Sequence, residues 1–402
     1  MPAASDQATR WQLRGATIYT PDGETDTLAI DGTQIAGEPD DDWPTLELPA
    51  DWRVIPGFID AHIHGAMGDD VMDADPAGLA RIAAYLPAEG TTSFLATTMT
   101  GAPAAIEAAL RNTAGHECAP GAAEMLGVHL EGPFVNPAKA GAQPAQHIAD
   151  PDIAAFDAWQ AASGDQIRVV TLAPEQPGGD VLIAHLAEHG VRASIGHSAC
   201  SAAQAEAAIA AGANRGTHLF NAMDGLHHRT PGAAAALLTS PAARSEIIAD
   251  GLHVTPAMVK LAHRAAGADR LMAITDAMRA KGLGDGEYEL GGQPVTVKDS
   301  EARLADGTLA GSVLTFDTAF RNLRAFTDCT MREAIAMTSG TAAADLGVAD
   351  RKGQLAPGFD ADILVLDGTG QIRLTIARGA VAYDPDDRAS AIFPGRRRDA
   401  RR

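Results

Sequence analysis

Two histidines one residue apart end an apolar run in the segment Gly57–Gly65, GFIDAHIHG. Side chains of a β-strand alternate between its two faces, so His62 and His64 point the same way and Ile63 points the opposite way. Two neutral imidazoles that converge on one point can form half of a transition-metal site. The alternative is a pair of solvated loop histidines, because short histidine motifs also occur by chance. Further residues of metal-binding type are needed to decide between these interpretations.

Three such residues follow other apolar runs. Glu131 lies in HLEGPF, His197 in GHS and His218 in THLFNAM. Three protein ligands with an open fourth position are typical of a catalytic rather than a structural zinc site, so these residues predict a catalytic metal centre. His129 shares a strand face with Glu131. We interpret it as a residue that contacts the ligands from behind or packs in the core, and the alternative is that it is itself a ligand.

Asp276 ends the last apolar run, in the segment AITDAM. A carboxylate beside a metal can take a proton from water and return it to a leaving nitrogen, which makes Asp276 the candidate general base and acid. The alternative is a helix N-cap, since aspartate is a favoured capping residue. The histidines and the glutamate expected on the same rim favour the catalytic role.

The elements that must position these residues repeat from about residue 56. A short apolar run, polar residues and an Ala-rich helical stretch recur in eight units, from VIPGFIDAHIHG to RLMAITDAM. Eight such units predict an α/β fold, a (β/α)8 barrel of the TIM type. Active sites of these barrels form at the carboxyl ends of the strands, which is where the candidate residues fall: His62, His64, Glu131, His197, His218, His253 and Asp276.

The two ends of the chain have a different pattern, of short strands and turns. We therefore predict a small β-sandwich domain built from both termini, with residues 1–55 as its first part and residues 346–390 as its second. The catalytic barrel takes residues 56–345. Residues 391–402, which are rich in arginine, are expected to form a basic, disordered tail.

Composition narrows the class of protein. The chain has 402 residues, of which 46% are hydrophobic and 21% charged, as in soluble globular proteins. Its net charge of −21 repels phosphate backbones, so nucleic acid is not expected as a partner, and an anionic substrate needs local positive groups. Three cysteines without close pairing fit a reducing compartment. Neither a membrane span nor a signal peptide is recognisable, and we expect a cytoplasmic protein without a membrane partner.

Seven motifs together resemble a known family in order and spacing: PGFIDAHIHG, HLEGPF, GHS, THLFNAM, IIADGLHV, ITDAM and GTLAGSVLT. The chain resembles the N-acetylglucosamine-6-phosphate deacetylases of the amidohydrolase superfamily over nearly its whole length. LAPGFDADILVLD resembles the segment with which these enzymes return to their small β-domain. The resemblance implies metal-dependent hydrolysis of the acetamide of N-acetylglucosamine 6-phosphate to glucosamine 6-phosphate and acetate, in amino-sugar catabolism and cell-wall recycling.

The resemblance also implies roles for individual residues. It assigns Glu131, His197 and His218 to the main metal and Asp276 to acid and base catalysis, as the residues themselves suggest. It implies that the substrate is bound by Ala142, Gln143, Asn221, Ala222, Arg229, His253, Leu309, Ala310 and Gly311.

Among these substrate-binding residues, the resemblance implies that Asn221 and Ala222 touch the sugar and that Arg229 and His253 hold the phosphate. Family members are homodimers in which the phosphate-binding arginine reaches the neighbouring site. The alternative is that Arg229 is an ordinary surface arginine.

Two features of this chain distinguish it within the family. It has the His62 and His64 pair, which some members lack, so the resemblance implies one or two divalent ions, with zinc expected and iron, manganese or cobalt as alternatives. Where some members have a histidine that polarises the substrate carbonyl, AKAGAQPAQ supplies Gln143. Glutamine can donate a hydrogen bond but cannot be cationic. We hypothesise that a second ion at the histidine pair, bridged by Glu131, takes over this polarisation.

Three other functions stay open at this point. The substrate could be N-acetylgalactosamine 6-phosphate, the C4 epimer, or an N-acyl amino acid, although the latter has no phosphate for Arg229 and His253. A barrel that binds a metal or a sugar phosphate without catalysis is the alternative of a different class. Asp276 argues against it, because binding alone requires no base beside the metal.

Overall fold

Strands and helices alternate through the middle of the chain, as the sequence predicts. The computed structural model describes residues 10–392. Its strands are β1 Arg10–Thr20, β2 Gly23–Asp31, β3 Gln34–Ile35, β4 Thr45–Glu47, β5 Arg53–Pro56, β6 Phe58–Ile63, β7 Gly65–Ala66, β8 Asp69–Asp70, β9 Thr91–Thr98, β10 Glu124–Glu131, β11 Ile167–Leu172, β12 Arg192–Ile195, β13 Arg215–Gly216, β14 Arg244–Ile248, β15 Leu271–Ile274, β16 Gly286–Leu290, β17 Gln293–Lys298, β18 Glu301–Arg303, β19 Ile363–Leu366, β20 Ile372–Ala377 and β21 Ala380–Tyr383. Its α-helices are α1 Pro76–Tyr85, α2 Pro103–Ala114, α3 Ile153–Ala162, α4 Gly179–Glu188, α5 Ala202–Ala211, α6 Gly232–Thr239, α7 Pro256–Ala266, α8 Phe316–Thr327, α9 Met331–Ile335 and α10 Thr341–Asp345.

Eight parallel strands form the barrel, in the spatial order β6, β9, β10, β11, β12, β13, β14 and β15. The first and last strands meet through a parallel bridge between Ile63 and Ala277, which closes the sheet. Every residue of β9 is buried, as expected for a parallel strand covered on both faces. The predicted (β/α)8 barrel is confirmed, and its closure brings the end of β15 beside the end of β6.

The helices begin where local sequence favours a helix start. Asp75 caps α1 by accepting hydrogen bonds from two backbone N–H groups, and Pro76 occupies the first helical position. Ser201 and Gln204 form a capping box at the start of α5. α9 and α10 are joined by one π-helical turn, and the side chain of Ser339 in this turn donates to the carbonyl of Gly57, just before β6. Across residues 10–392, no helix combines the length and apolar character needed to cross a membrane.

A second sheet is built from both ends of the described chain. Its strands run in the order β21, β20, β19, β5, β1, β2 and β3, and β4 also pairs with β1. Trp11, Leu13 and Val365 lie in its core, and Ile392 packs against the same cluster although the sequence assigns it to the tail. The small β-domain from both termini is therefore present as one continuous sheet. The limits predicted for the domains stay a proposal, and residues 393–402 of the predicted tail lie outside the described residues.

A three-stranded antiparallel sheet, β16 to β18, follows the last barrel strand and was not predicted. Its first turn is Gly291–Gly292, where both glycines have positive φ, as a two-residue hairpin requires. This signal is present in the sequence, between the alternating stretches GEYEL and QPVTVK. The sheet packs near the site, because the Gln293 side chain donates to the carbonyl of Ala142.

Candidate metal centre and active site

The ends of five barrel strands bring the predicted ligands and base to one rim. Each of them lies within two residues of the last residue of its strand. The six residues are His62, His64, Glu131, His197, His218 and Asp276. All six are almost fully buried. Parallel strands end at the same edge, so residues far apart in sequence converge there.

The first group consists of Glu131, His197 and His218. The Nε2 atoms of the two histidines lie 3.0 Å apart, and they lie 3.2 and 3.1 Å from Oε1 of Glu131. Ligands about 2 Å from one zinc ion are themselves a little over 3 Å apart, so these distances suit a common ion. The predicted donor set therefore has the spacing of a metal site, with two imidazoles and one carboxylate.

The second group consists of His62, His64 and Asp276. The two Nε2 atoms are 3.4 Å apart, and they lie 3.4 and 3.2 Å from Oδ1 of Asp276. Glu131 contacts both groups, because its Oε2 lies 3.3 Å from Nε2 of His64 while its Oε1 faces the first group. The histidines of GFIDAHIHG thus share a face and converge, and Glu131 stands where a bridging ligand would be placed.

Three of these residues hold the backbone in the left-handed region. The φ angles are 46° at His197, 27° at His218 and 49° at Asp276. This region is sparsely populated by residues other than glycine, and such conformations cluster at functional sites. The strand ends are therefore bent to aim these side chains inward.

The charges of these two groups of residues favour the binding of a cation. Burial acts to raise the pKa of Glu131, but the charge of His62 and the hydrogen bonds from His197 and His218 hold this pKa well below its usual range. Burial acts to lower the pKa of His64, yet Asp276 and Glu131 outweigh it and raise the pKa to about 10. The two carboxylates thus stabilise cations at this place, and a divalent ion meets the same demand. The residues present fit such an ion.

Outer partners orient the donors of the first group. Nδ1 of His197 lies 2.9 Å from the carbonyl of Lys139, which keeps the proton on Nδ1 and leaves Nε2 to face Glu131. The amide of Gln143 donates to Oε2 of Glu131 at 2.8 Å and accepts from the backbone N–H of Thr100 at 2.8 Å. Gln143 therefore has one amide hydrogen bound to Glu131 and lies beside the donors, as a residue of the site.

Several residues implied by the resemblance lie against this rim. The Asn221 amide donates to the carbonyl of His218, and a side chain at Gly141 would meet both His197 and Ala222. Ala310 is buried and Leu309 is half-buried. A side chain at Gly311 would lie 3.1 Å from the carbonyl oxygen of Asp276.

The two residues proposed for the phosphate have different surroundings. His253 follows β14, and its Nδ1 is held by Asp250 at 2.6 Å. Arg229 lies on the exposed segment 224–230, where its guanidinium contacts His228 at 2.7 Å. Within residues 10–392 of a single chain, no hydrogen bond or ion pair joins the Arg229 side chain to the rim, so its role stays a proposal.

Sequence reasoning missed a buried network below the rim. Glu246 of β14 accepts from Arg215 of β13 at 2.6 Å, and Arg215 also donates to Asp345 at 2.7 Å. The available signal was a carboxylate and a guanidinium inside runs that the sequence assigns to barrel strands, since charged residues buried at such positions are paired or functional.

Comparison with known proteins agrees with this geometry. The profile of the amidohydrolase family matches residues 53–389. The chain belongs to the amidohydrolase family. Among its curated relatives, the N-acetylglucosamine-6-phosphate deacetylase of Bacillus subtilis is 46% identical over 342 residues, which cover 84% of this chain and 86% of the relative. The N-acetylgalactosamine-6-phosphate deacetylase of Escherichia coli O157:H7 is 40% identical over 376 residues, covering 92% and 98%.

Solved structures of amidohydrolases share the architecture. A mutant of N-acetyl-D-glucosamine-6-phosphate deacetylase from Mycobacterium smegmatis, in complex with N-acetyl-D-glucosamine-6-phosphate, superposes with a TM-score of 0.87 at 32% identity and covers 93% of this chain and 100% of that one. The deacetylase from Thermotoga maritima gives a TM-score of 0.82 at 32% identity, with 93% and 99% covered.

Proposed function

We propose that this amidohydrolase removes the acetyl group of N-acetylglucosamine 6-phosphate and releases glucosamine 6-phosphate and acetate. The observation that supports the proposal is that the histidines of both groups lie around Glu131, with Asp276 beside His64. A buried set of metal-type donors with a carboxylate beside it suits hydrolysis of an amide. Relatives with 46% identity are named as deacetylases of this sugar phosphate, and a structural neighbour binds it.

Glu131, His197 and His218 would hold the main ion, and His62 and His64 a second one. A divalent ion at this rim supplies a Lewis acid for the acyl oxygen and for the attacking water. Asp276 accepts the proton of that water and donates it to the amide nitrogen as the C–N bond breaks. Asn221 and Ala222 would touch the sugar, and Ala142 and the segment 309–311 would line the substrate pocket beside the rim. Gln143 either donates its second amide hydrogen to the acetyl oxygen or holds Glu131 in place.

The C4 epimer, N-acetylgalactosamine 6-phosphate, is the second candidate substrate. The E. coli relative named for this sugar is 40% identical and is covered over 98% of its length. Both sugars offer the same acetamide and phosphate, so only contacts to the C4 hydroxyl separate them.

Release of acetate from each sugar phosphate, before and after metal removal with a chelator, tests the function. We expect release from N-acetylglucosamine 6-phosphate that chelation abolishes and that zinc, manganese, iron or cobalt restores. A higher kcat/KM for the galacto epimer would make that sugar the preferred substrate and N-acetylglucosamine 6-phosphate the second candidate. Release that is unchanged without metal, or no release from either sugar, would contradict the proposal.

The histidine pair predicts a second ion. Well-prepared protein is expected to hold close to two ions per chain, and replacing both His62 and His64 by Asn is expected to lower this to one and to reduce turnover. The reason is that Nε2 of each of these histidines lies within 3.5 Å of a carboxylate oxygen of both Glu131 and Asp276. Elemental analysis and the rate of acetate release provide the measurements.

Adding Gln143→His to the double variant at His62 and His64 tests whether turnover falls because polarisation of the acetyl oxygen is lost. Partial recovery of turnover in the triple variant would support interchangeable means of polarising the acetyl oxygen. A double variant with wild-type stoichiometry and turnover would remove the second ion from the mechanism and leave the pair as packing at the barrel mouth.

Phosphate recognition is assigned to Arg229 and His253, because a chain of net charge −21 needs local cations for an anionic substrate. A charge-assisted contact contributes about 1.5 to 3 kcal/mol, so Arg229→Ala should raise KM by tens of fold or more. N-acetylglucosamine without phosphate should be a poor substrate for both proteins and little affected by the change. Equal loss with both substrates would show that Arg229 acts on structure.

We further propose a homodimer in the cytoplasm, in which Arg229 serves the neighbouring site. The exposure of segment 224–230 and the free cysteines Cys118, Cys200 and Cys329 support this assignment. A dimer by light scattering, together with restored phosphate selectivity in mixed dimers of Arg229→Ala and Asp276→Asn chains, is the expected result. Absence of recovery in the mixed dimers would place Arg229 outside the partner's site.

A further inference from the structure

A line of buried charged groups runs through the barrel from α10 toward the rim. Arg215 is fully buried and donates to Oδ2 of Asp345 at 2.7 Å. Its Nε and Nη2 donate to Oε1 of Glu246 at 2.8 and 2.6 Å. The guanidinium thus fixes the Glu246 carboxylate through two hydrogen bonds to a single oxygen, which leaves the other oxygen to face the rim.

That other oxygen contacts both metal groups. Oε2 of Glu246 lies 2.9 Å from Nδ1 of His62 and accepts from the backbone N–H of His218 at 3.0 Å. A carboxylate paired with a guanidinium only accepts hydrogen bonds, so the proton of His62 is placed on Nδ1. The opposite nitrogen, Nε2, is then free to face His64 and Asp276.

A third metal site is the competing interpretation, because donor atoms of His62, His129 and Glu246 also lie close together. The neighbouring charges disfavour it. Arg215 holds Oε1 of Glu246, while two N–H groups use Oε2, so the carboxylate has a cation and four hydrogen bonds already. His129 is bound to Thr171 through Nε2 and packs edge-on against His62 at 4.5 Å.

We propose that Glu246 is a positioning residue: held by Arg215, it fixes the ring of His62 with Nε2 toward the metal donors and restrains the backbone at His218. The proposal rests on the metal-dependent function given above. In this role Glu246 would act through His62 and His218 and would contact neither the ion nor the substrate. Glu246 contacts one residue of each group from inside the barrel, whereas Glu131 contacts both groups at the rim.

The substitution Glu246→Gln tests this role through metal affinity. Loss of an outer partner of a ligating histidine typically weakens metal binding about tenfold to hundredfold, and we expect that loss for the ion at the His62 group. The ion at His218 should be less affected, since the backbone N–H of Leu219 still donates to the carbonyl of residue 246. Titration of metal-loaded protein with a chromophoric chelator measures both ions.

Asp345→Asn is the matched control, because it breaks the same Arg215 network on the side away from the rim. Its metal affinities should equal those of the wild type. Equal weakening in both variants would assign Glu246 to general stability and overturn the proposal. Wild-type affinities in Glu246→Gln would also overturn it.

The tautomer of His62 provides a test that needs no variant of Glu246. In zinc-loaded wild-type protein with ¹⁵N-labelled histidine, long-range ¹H–¹⁵N spectra should show a His62 ring protonated at Nδ1 and bound through Nε2. The His62→Asn spectrum identifies the signal. The reverse arrangement overturns the positioning role, whereas a wild-type protein that takes up no zinc contradicts the proposed function instead.

Discussion

Replacing Asp276 by Asn is expected to lower turnover by at least about a hundredfold, the lower end of general acid and base catalysis. Asn has nearly the same shape but can neither accept the proton of water nor return it to the leaving nitrogen. The Asp276 carboxylate lies 3.2 Å from Nε2 of His64 and is almost fully buried at the rim, where such transfer is needed. The measurement is kcat and KM for acetate release, with metal content determined on the same sample.

In residues 10–392 no helix begins at Asp276, because the next elements are β16 to β18 and the next helix is α8, so the capping interpretation is wrong. The same substitution separates a catalytic from a purely structural role, because Asn keeps the shape of Asp and still accepts a hydrogen bond through Oδ1. Asp152→Asn is the matched control, because Asp152 does cap α3 and lies at the start of a helix outside the rim. Near-normal turnover in Asp276→Asn, as expected for Asp152→Asn, would remove Asp276 from catalysis.

Much of the fold could be predicted because its signals are local. Each barrel strand is a short apolar run followed by polar residues, and β9 shows the physical basis, because its eight residues are all buried on both faces of the sheet. The candidate donors could be predicted for a related reason. Parallel strands end at one rim, so the strand pattern alone was enough to place His197 and His218 together.

What could not be predicted depends on contacts between distant residues. Arg215 and Asp345 are 130 positions apart, and nothing in either segment indicates that they pair. The direction of the Gln143 amide is of the same kind, because it is determined by the backbone of Thr100 and the carboxylate of Glu131. The β16 to β18 sheet was missed for a different reason. Its Gly291–Gly292 turn was visible, but the count of eight repeats left no place for it.

Replacing His197 or His218 by Ala is expected to remove most of the metal and nearly all activity. Their two Nε2 atoms lie 3.0 Å apart and share one oxygen of Glu131, so loss of either leaves two donors where the site has three. Two protein donors leave half of the four ligand positions of a zinc ion to water. Metal content after gel filtration and thermal unfolding with and without added zinc provide the measurements.

His185→Ala is the control for the loss of a histidine as such. His185 lies on α4, pairs with Asp157 at 2.7 Å and is more exposed than the two proposed ligands. This variant should keep its metal, its activity and the rise in unfolding temperature that zinc produces, since binding to the native state alone stabilises that state. If His197→Ala and His218→Ala behave like this control, the ion is held elsewhere, and Glu131 with its neighbouring imidazoles is a buried hydrogen-bonded cluster without a catalytic metal.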